Sequence, residues 1–291
     1  MAVQSDWNGL PEISMKQGRI SQTALKVALG LITLSVKDDW SQRLPPDLVE
    51  ITERLLLASG SPGYGPGLMR MSKQRWMIRA YQFQDRMMPG QWEGFGHRKV
   101  FMNQQVEAAI EQGARQVLIL GAGFDTLCLR LAPKYPGVRF VEIDHPSTSV
   151  AKARGIEKVG QPENMIQIAA DLGERSLPKV LSEDGHWDAS QRSVIVAEGL
   201  FQYLADEEVQ GLLTDAAACT SPGSRIAFSH AIPGDRKLLS ALVRLISEPW
   251  KSEVRSEDLP SYVDGTGWAM ISEVDDDAEH GVERYGVAER A

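Results

Sequence analysis

A glycine-rich turn and three acidic residues each directly follow an apolar run in the middle of the chain. The turn is Gly121 to Asp125, and the acids are Asp144, Asp171 and Glu198. Paired glycines let a ligand approach the backbone closely. An acid about 20 residues after such a turn can accept both hydroxyls of a ribose, and the next acid can accept a hydrogen bond from an adenine amino group. Each acid alone is more often a solvated side chain, but the set together indicates a nucleoside site.

A nucleoside with a cationic centre fits these residues better than a pyrophosphate cofactor does. The third glycine of the dinucleotide motif is absent, because Thr126 stands in its place, and no phosphate-binding Gly-x-x-x-x-Gly-Lys-Ser/Thr sequence occurs. S-adenosylmethionine (SAM) carries an adenosine, a sulfonium and an amino-acid arm. It suits an acidic rim with one arginine for the carboxylate of the arm. SAM is therefore the expected cofactor. No metal is expected, since no cluster of histidine, cysteine and carboxylate residues is visible in the sequence.

Five short apolar runs alternate with segments of helical composition in the second part of the chain. The runs are Gln116–Leu120, Arg139–Asp144, Met165–Asp171, Ser193–Glu198 and Arg225–His230. Buried strands separated by helices predict a parallel sheet that is covered on both faces. The segments Trp268–Val274 and Val282–Ala288 predict a closing hairpin, so that at least one strand runs antiparallel. Ligands of such sheets bind beyond the carboxyl ends of the strands, where the turn and the acids lie.

The first 95 residues differ in character, and we expect them to form a helical cap on a nucleotide-binding domain at 96–291. Periodicity predicts helices at Thr23–Val36, Asp47–Ala58, Met71–Met88 and Lys99–Gln112. The fourth of these helices has a predicted buried face of Val100, Phe101, Val106, Ala109 and Ile110. The stretch Ser59–Gly67 is rich in glycine and proline, which predicts a loop that acts as a hinge or a lid.

Composition excludes several classes of protein. The chain has 291 residues, of which 43% are hydrophobic, so it is long and apolar enough for a full core rather than disorder. Its net charge of −8 argues against a nucleic-acid partner, which requires a basic footprint. The apolar stretch Val27–Val36 is too short to cross a bilayer, and the N-terminus lacks the pattern of a signal peptide. The two distant cysteines, Cys128 and Cys219, fit a reducing compartment, so we expect a cytoplasmic protein.

Four segments are similar, in this order, to motifs of one known family: Leu118–Thr126 with Arg130-Leu131, Phe140–Pro146 with Lys152, Ala197–Leu204 and Glu283–Arg290. They resemble the first, second and fourth motifs and the closing strand of the leucine carboxyl methyltransferase family. That family includes bacterial O-methyltransferases of natural-product pathways. The resemblance extends over about Gly96 to Ala291. It implies an α/β class I SAM-dependent methyltransferase fold, with a Rossmann-like seven-stranded sheet, an antiparallel last strand and an N-terminal helical cap.

The resemblance also implies which residues hold the amino-acid arm of SAM. Arg98 would bind the carboxylate, a role that suits a bidentate guanidinium. Glu198 would face the arm and pair with its amine. Gly121 and Gly123 would line the arm, and Ala122 and Asp125 of the same turn would also bind the cofactor.

Roles for the rest of the site follow from the same resemblance. Asp144 would hold the ribose, and Asp171 with Leu172 would hold the adenine. Tyr203 matches a family tyrosine near the methyl acceptor and is the candidate catalytic residue. Lys26 matches an N-terminal lysine of the family.

These roles imply a SAM-dependent O-methyltransferase that acts on a carboxylate or hydroxyl of a small molecule in specialised metabolism. An alternative keeps the fold and the cofactor: the SAM amine attacks its own aminobutyrate arm, which gives azetidine-2-carboxylate and releases methylthioadenosine. A protein C-terminal carboxyl methyltransferase is a second alternative, and a SAM-binding scaffold without activity is a third. The sequence leaves the acceptor and the oligomeric state open.

Two features bear on the chemistry of the acceptor. Leu127 stands where many bacterial members of the family have an arginine, so an acceptor carboxylate held by that arginine in relatives would need another partner here. His145 and His230 lie at predicted strand ends and have the right type of side chain for a general base. Each is more often structural, and we assign no base from the sequence.

Overall fold

The computed structural model describes residues 21–37, 39–87, 91–233, 250–275 and 283–291. Seven strands lie in one sheet in the order β3-β2-β1-β4-β5-β7-β6. Their bounds are β1 Gln116–Leu120, β2 Arg139–Asp144, β3 Met165–Ala169, β4 Ser193–Ala197, β5 Arg225–Ala231, β6 Trp268–Asp275 and β7 Glu283–Arg290. Strands β1 to β5 pair in parallel, and β7 is antiparallel to both β5 and β6. The predicted fold class is confirmed.

The predicted strands agree with the observed ones except at their ends. β3 ends at Ala169 and β4 at Ala197, so Asp171 and Glu198 lie just beyond the strands rather than inside them. Val282, the predicted first residue of the closing strand, lies outside the described residues, as does most of the acidic connection before it. Asp171 and Glu198 are thus loop residues, whereas Asp144 is the last residue of β2.

Helices flank the sheet, and their bounds follow the chain. They are α1 Gln22–Leu34, α2 Trp40–Arg43, α3 Leu48–Ser59, α4 Pro66–Ser72, α5 Arg75–Met87, α6 Gln91–Glu111, α7 Leu127–Leu131, α8 Pro146–Val159, α9 Leu177–Asp184, a 3₁₀ turn Phe201–Tyr203, α10 Asp206–Ala218 and α11 Leu259–Val263. None of the helices within the described ranges has the length and apolarity that a membrane span requires.

The helix predicted over 71–88 begins elsewhere than expected, because α4 ends at Ser72 and α5 starts at Arg75. The Ser72 hydroxyl donates a hydrogen bond of 2.8 Å to the backbone oxygen of Met69, and a serine bonded to its own backbone competes with a continuing helix. Met88, the predicted last residue, lies outside the described residues.

The side chains of the sheet alternate between two apolar layers. Val117 and Ile119 of β1 face a core that also contains Leu25 of α1 and Leu55 of α3. The intervening Leu118 and Leu120 face a second core, which α9, α10 and α11 cover. The helices of the predicted cap therefore share one core with a face of the sheet.

Close packing joins α3 to α8 across this first core. A Cβ atom on Gly155 of α8 would lie 2.8 Å from the backbone oxygen of Leu55, so the two helices touch through backbone. Helix α6 runs unbroken from Gln91 to Glu111 and passes through the predicted boundary at 95/96. The division into a cap and a nucleotide-binding domain stays a prediction.

Candidate cofactor site

The glycine turn after β1 is bonded to the end of β2. Gly121 and Gly123 have φ values of +64° and +46°, in the left-handed region that glycine adopts without a Cβ penalty. The amides of Gly121 and Ala122 donate hydrogen bonds of 2.9 and 3.2 Å to the backbone oxygen of Ile143. This shape exposes the turn at the carboxyl edge of the sheet, the edge at which the parallel strands end.

Asp144 follows Ile143 and holds the same turn through its side chain. One carboxylate oxygen accepts the amide of Gly123, and the other accepts the amide of His145 at 2.6 Å. Burial raises the pKa of Asp144, while these backbone donors oppose the rise. A carboxylate has about four acceptor positions, so two amide donors leave capacity for the hydroxyls of a ligand.

Asp171 lies beside Asp144, one strand further along the sheet. Its Oδ1 accepts the amide of Gly173 at 2.9 Å, and its Oδ2 lies 3.6 Å from Nε2 of His145. The imidazole is also the N-cap of α8, because its ring accepts the amide of Ser147. His145 therefore has a structural role, and with Leu172, which is half-buried, these residues form the outer end of the site.

Five charged side chains form a buried group at the inner end of the site, which we call the arm cluster: Arg98, Lys99, Asp125, Glu198 and Glu283. Arg98 Nε donates to Glu198 Oε1 at 3.0 Å, and Arg98 Nη1 donates to both oxygens of Glu283 at 2.9 and 3.1 Å. Lys99 Nζ pairs with Asp125 and lies 2.7 Å from Glu198 Oε1. The cluster thus links α6, the glycine turn, the end of β4 and the start of β7.

Opposite charges favour the ionised forms of two members of the arm cluster, Asp125 and Arg98, despite their burial. Burial alone would raise the pKa of Asp125, but Lys99 and Lys152 lower it well below its usual value. Burial alone would likewise lower the pKa of Arg98, but Glu283 and Glu198 raise it above the usual range. These groups are therefore fixed charges at neutral pH.

Two hydrogen-bonding positions in the arm cluster have no partner among the described residues. Glu198 Oε2 is buried and has no partner, and no described residue accepts a hydrogen bond from Arg98 Nη2. Gly199, with φ +62°, leaves the space beside the guanidinium open, because a Cβ there would lie 3.2 Å from Arg98 Nη1. A leftover acceptor next to a leftover donor fits a ligand that carries an ammonium and a carboxylate.

Lys99 and Glu283 are site residues that the sequence interpretation missed. Lys99 precedes Phe101 on the predicted buried face of α6 and is itself buried, and a lysine on a core-facing stripe is the signal that could have found it. Glu283 carried no such signal, since it is the first residue of a short strand near the end of the chain.

The remaining predicted site residues lie at the rim. Tyr203 is half-buried at the end of the 3₁₀ turn. Gln202, in the same turn, donates a hydrogen bond of 3.0 Å to Glu283. Lys26 is exposed on α1. Leu127 points into the first core and is 2% exposed, so this position faces away from the site.

His230 is engaged in its own contact. It is buried on β5, and its Nε2 lies 3.0 Å from Oε1 of Glu273. Burial lowers the pKa of His230, although Glu273 opposes the shift.

Helix α1 lies across the glycine turn. A Cβ on Gly123 would lie 3.0 Å from the Cβ of Ala24, and the amide of Ser21 donates to the hydroxyl of Thr148 at 3.2 Å. The predicted cap thus covers the carboxyl edge of the sheet at the turn.

The strand order and the antiparallel β7 define the class I methyltransferase fold. A Thermobifida fusca protein provisionally described as a methyltransferase shares it, with a TM-score of 0.59 and 16% identity over 84% of this chain and 98% of that one. A DUF574 family protein from Streptomyces avermitilis shares it with a TM-score of 0.57 and 16% identity, over 82% of this chain and 97% of that one.

The chain belongs to the leucine carboxyl methyltransferase family, whose model matches residues 33–217. A relative from Mycolicibacterium paratuberculosis is 32% identical over 60% of this chain and 61% of its own length. One from Frankia alni is 33% identical over 59% of this chain and 60% of its own length. Both are provisionally named SAM-dependent methyltransferases. The chain spans about 60% of the length of these curated relatives.

Proposed function

We propose that the protein is a SAM-dependent O-methyltransferase that acts on a carboxylate or hydroxyl of a small molecule. The observation that carries this proposal is the pair of leftover positions in the arm cluster, Glu198 Oε2 and Arg98 Nη2. A buried acceptor without a partner costs free energy, and the ammonium of an amino-acid arm would satisfy it. Membership of the family and the names of its relatives support the same cofactor.

In this proposal different residues bind different parts of the cofactor. Arg98 holds the carboxylate of the arm and Glu198 its ammonium, while Gly121, Ala122, Gly123 and Asp125 line the arm. Asp144 holds the ribose hydroxyls, and Asp171 with Leu172 holds the adenine.

Glu198 favours methyl transfer over the cyclisation alternative. SAM supplies a methyl group that its positive sulfur has already activated. The cyclisation requires a neutral amine as nucleophile, whereas a carboxylate next to an ammonium favours the protonated form. Glu198 therefore restrains the amine, and the protein contributes alignment and exclusion of water.

The covering helix α1 supports a small acceptor. Because Ala24 lies against the glycine turn, an acceptor reaches the site beneath the helices before α6, which serve as the substrate lid. Tyr203 lies at the end of the 3₁₀ turn and contacts the acceptor. The resemblance to family members of natural-product pathways supports an acceptor from specialised metabolism. The two distant free cysteines, Cys128 and Cys219, support a cytoplasmic location.

The first test is mass spectrometry of the protein with SAM, with and without a panel of small carboxylic acids and phenols. We expect SAM to stay intact alone and S-adenosylhomocysteine to form with an acceptor. Methylthioadenosine and a four-carbon amino acid from SAM alone would establish the cyclisation instead.

Calorimetry tests the site itself. Glu198→Gln should weaken SAM binding about tenfold or more, because a hydrogen bond to a charged group contributes about 1.5–3 kcal/mol. Methylthioadenosine, which lacks the arm, should bind the variant as it binds the parent. Glu183→Gln on the exposed face of α9 is the matched control. If the parent does not bind SAM, the proposed function is wrong.

A further inference from the structure

Glu283 accepts hydrogen bonds from two side chains, those of Arg98 and Gln202. Both of its oxygens accept from Arg98 Nη1, at 2.9 and 3.1 Å, and Oε1 also accepts Gln202 Nε2 at 3.0 Å. Its side chain is 13% exposed. The direction of β7 makes this possible, because Glu283 pairs with Ala231 at the carboxyl end of β5.

Two carboxylates bind two of the three nitrogens of the Arg98 guanidinium. Glu198 holds Nε and Glu283 holds Nη1. The ring of Phe95 lies 5.5 Å from Cζ, and Gly199 has no side chain that would crowd Nη1, since a Cβ there would lie 3.2 Å from it. The group that remains is Nη2, so the orientation of Nη2 depends on the partners of the other two nitrogens.

We propose that Glu283 is a positioning residue that orients the Arg98 guanidinium, so that Nη2 faces the carboxylate of the cofactor's amino-acid arm. The inference rests on the proposed function, since it assumes that SAM is the ligand. Glu283 acts through Arg98 and does not touch the ligand. Through Gln202 it also ties the 3₁₀ turn that carries Tyr203 to the same guanidinium.

The two ends of β7 provide a matched pair of variants for the test. Glu283→Gln keeps the shape of the side chain and one acceptor oxygen but removes the charge. Glu289→Gln makes the same change at the other end of the strand, where Glu289 pairs with Arg225 at 3.1 Å and is 41% exposed. The dissociation constants of SAM and of methylthioadenosine are measured by calorimetry for both variants and the parent.

We expect Glu283→Gln to weaken SAM binding about tenfold, the loss of one charge-assisted contact, and to leave methylthioadenosine binding within about twofold of the parent. Glu289→Gln should change neither constant. A variant that is merely less stable would lose both ligands together, so the ratio of the two constants reports the orientation of Arg98.

A double-mutant cycle adds a second readout. If Glu283 acts through Arg98, then Glu283→Gln should have little further effect on SAM binding in an Arg98→Ala background. The effects of substitutions at two residues in contact are not additive. Additive losses would overturn the proposal. Unchanged SAM binding in Glu283→Gln would overturn it as well, and tighter binding would show that Glu283 competes with the ligand for Arg98. Failure of the parent to bind SAM would instead refute the proposed function.

Discussion

The two edges of the sheet use charged residues in different ways. At the amino edge, Arg192 donates to the backbone oxygens of Gln112 and Gly223, each at 3.0 Å, and it is exposed. At the carboxyl edge, Arg98 is buried and donates to the side chains of Glu198 and Glu283.

The two arginines differ in their exposure to solvent and in the groups that they bind. Arg192 at the amino edge is bonded to backbone oxygens that lie directly after α6 and before β5, and its side chain is exposed. The arm cluster at the carboxyl edge excludes solvent but leaves Glu198 Oε2 without a partner. Under the proposed function, the ammonium of the cofactor's amino-acid arm is the partner of this buried oxygen.

The largest expected effect is the difference between alanine substitutions of these two arginines. Arg98→Ala should weaken SAM binding about 100-fold, since it removes a charged donor. It should also lower the free energy of unfolding by about 3 kcal/mol, because it leaves buried carboxylates uncompensated. Arg192→Ala should leave SAM binding unchanged. Calorimetry measures the binding and urea denaturation measures the stability. Equal SAM affinity in the two variants would refute the functional difference between the edges.

A smaller effect distinguishes two glycines with positive φ, one at each edge. Gly123 has φ +46° and Gly223 has φ +77°, so an alanine at either position should cost about 1–2 kcal/mol of stability. Gly123→Ala must also displace Ala24, because the new Cβ would lie 3.0 Å from it. We therefore expect Gly123→Ala to weaken SAM binding several-fold.

For Gly223→Ala the new Cβ meets only the end of the Arg192 side chain, which can move aside. SAM binding should be that of the parent, with a similar loss of stability in urea. If Gly223→Ala impairs SAM binding as much as Gly123→Ala, the effect comes from general strain and not from the position of α1.

The smallest expected effect is a pH dependence of stability. Burial lowers the pKa of His230 below its usual value, while Glu273 opposes the shift. The folded pKa is therefore below the unfolded one, so the unfolded state binds the extra proton first as the pH falls. The contribution of His230 is complete above its ordinary pKa, about 6.5, and is lost as the pH falls through and below that value.

Thermal unfolding of variants at about pH 7.5 and about pH 5.5 measures this contribution. His230→Gln, which keeps a donor for Glu273, should lose less stability on acidification than the parent does. His186→Gln at the amino edge, where the histidine is exposed, should behave as the parent. A parent and a His230→Gln variant with the same pH dependence would contradict the assignment.

Much of the sheet could be predicted from the sequence because its strands are short apolar runs. Gln116–Leu120 and Arg139–Asp144 have the bounds that the pattern predicted. The helices before the sheet were harder to place. The break between α4 and α5 follows Ser72, whose hydroxyl donates to the backbone oxygen of Met69. Helix α6 begins at Gln91, before any periodic pattern is evident.

The site shows the same division. Four parts of the site could be predicted from the sequence because they come at the ends of apolar runs, and parallel strands bring their carboxyl ends to one edge. These parts are the glycine turn, Asp144, Asp171 and Glu198. Their ligand roles, and those of Tyr203 and Lys26, stay predictions. Lys99 was missed because only the apolar residues of the helix were assigned to its buried face, and the two carboxylates that neutralise its charge come from distant parts of the chain.

The sequence by itself determined which segments form the strands, where the turn and the acids lie, and which family the chain resembles. Each of these can be found from a local pattern of residues. Only the tertiary structure decided the arm cluster. Arg98 and Glu283 lie 185 positions apart in the chain, and they meet because β7 runs antiparallel to β5. That direction brings the first residue of the last strand to the edge at which the parallel strands end.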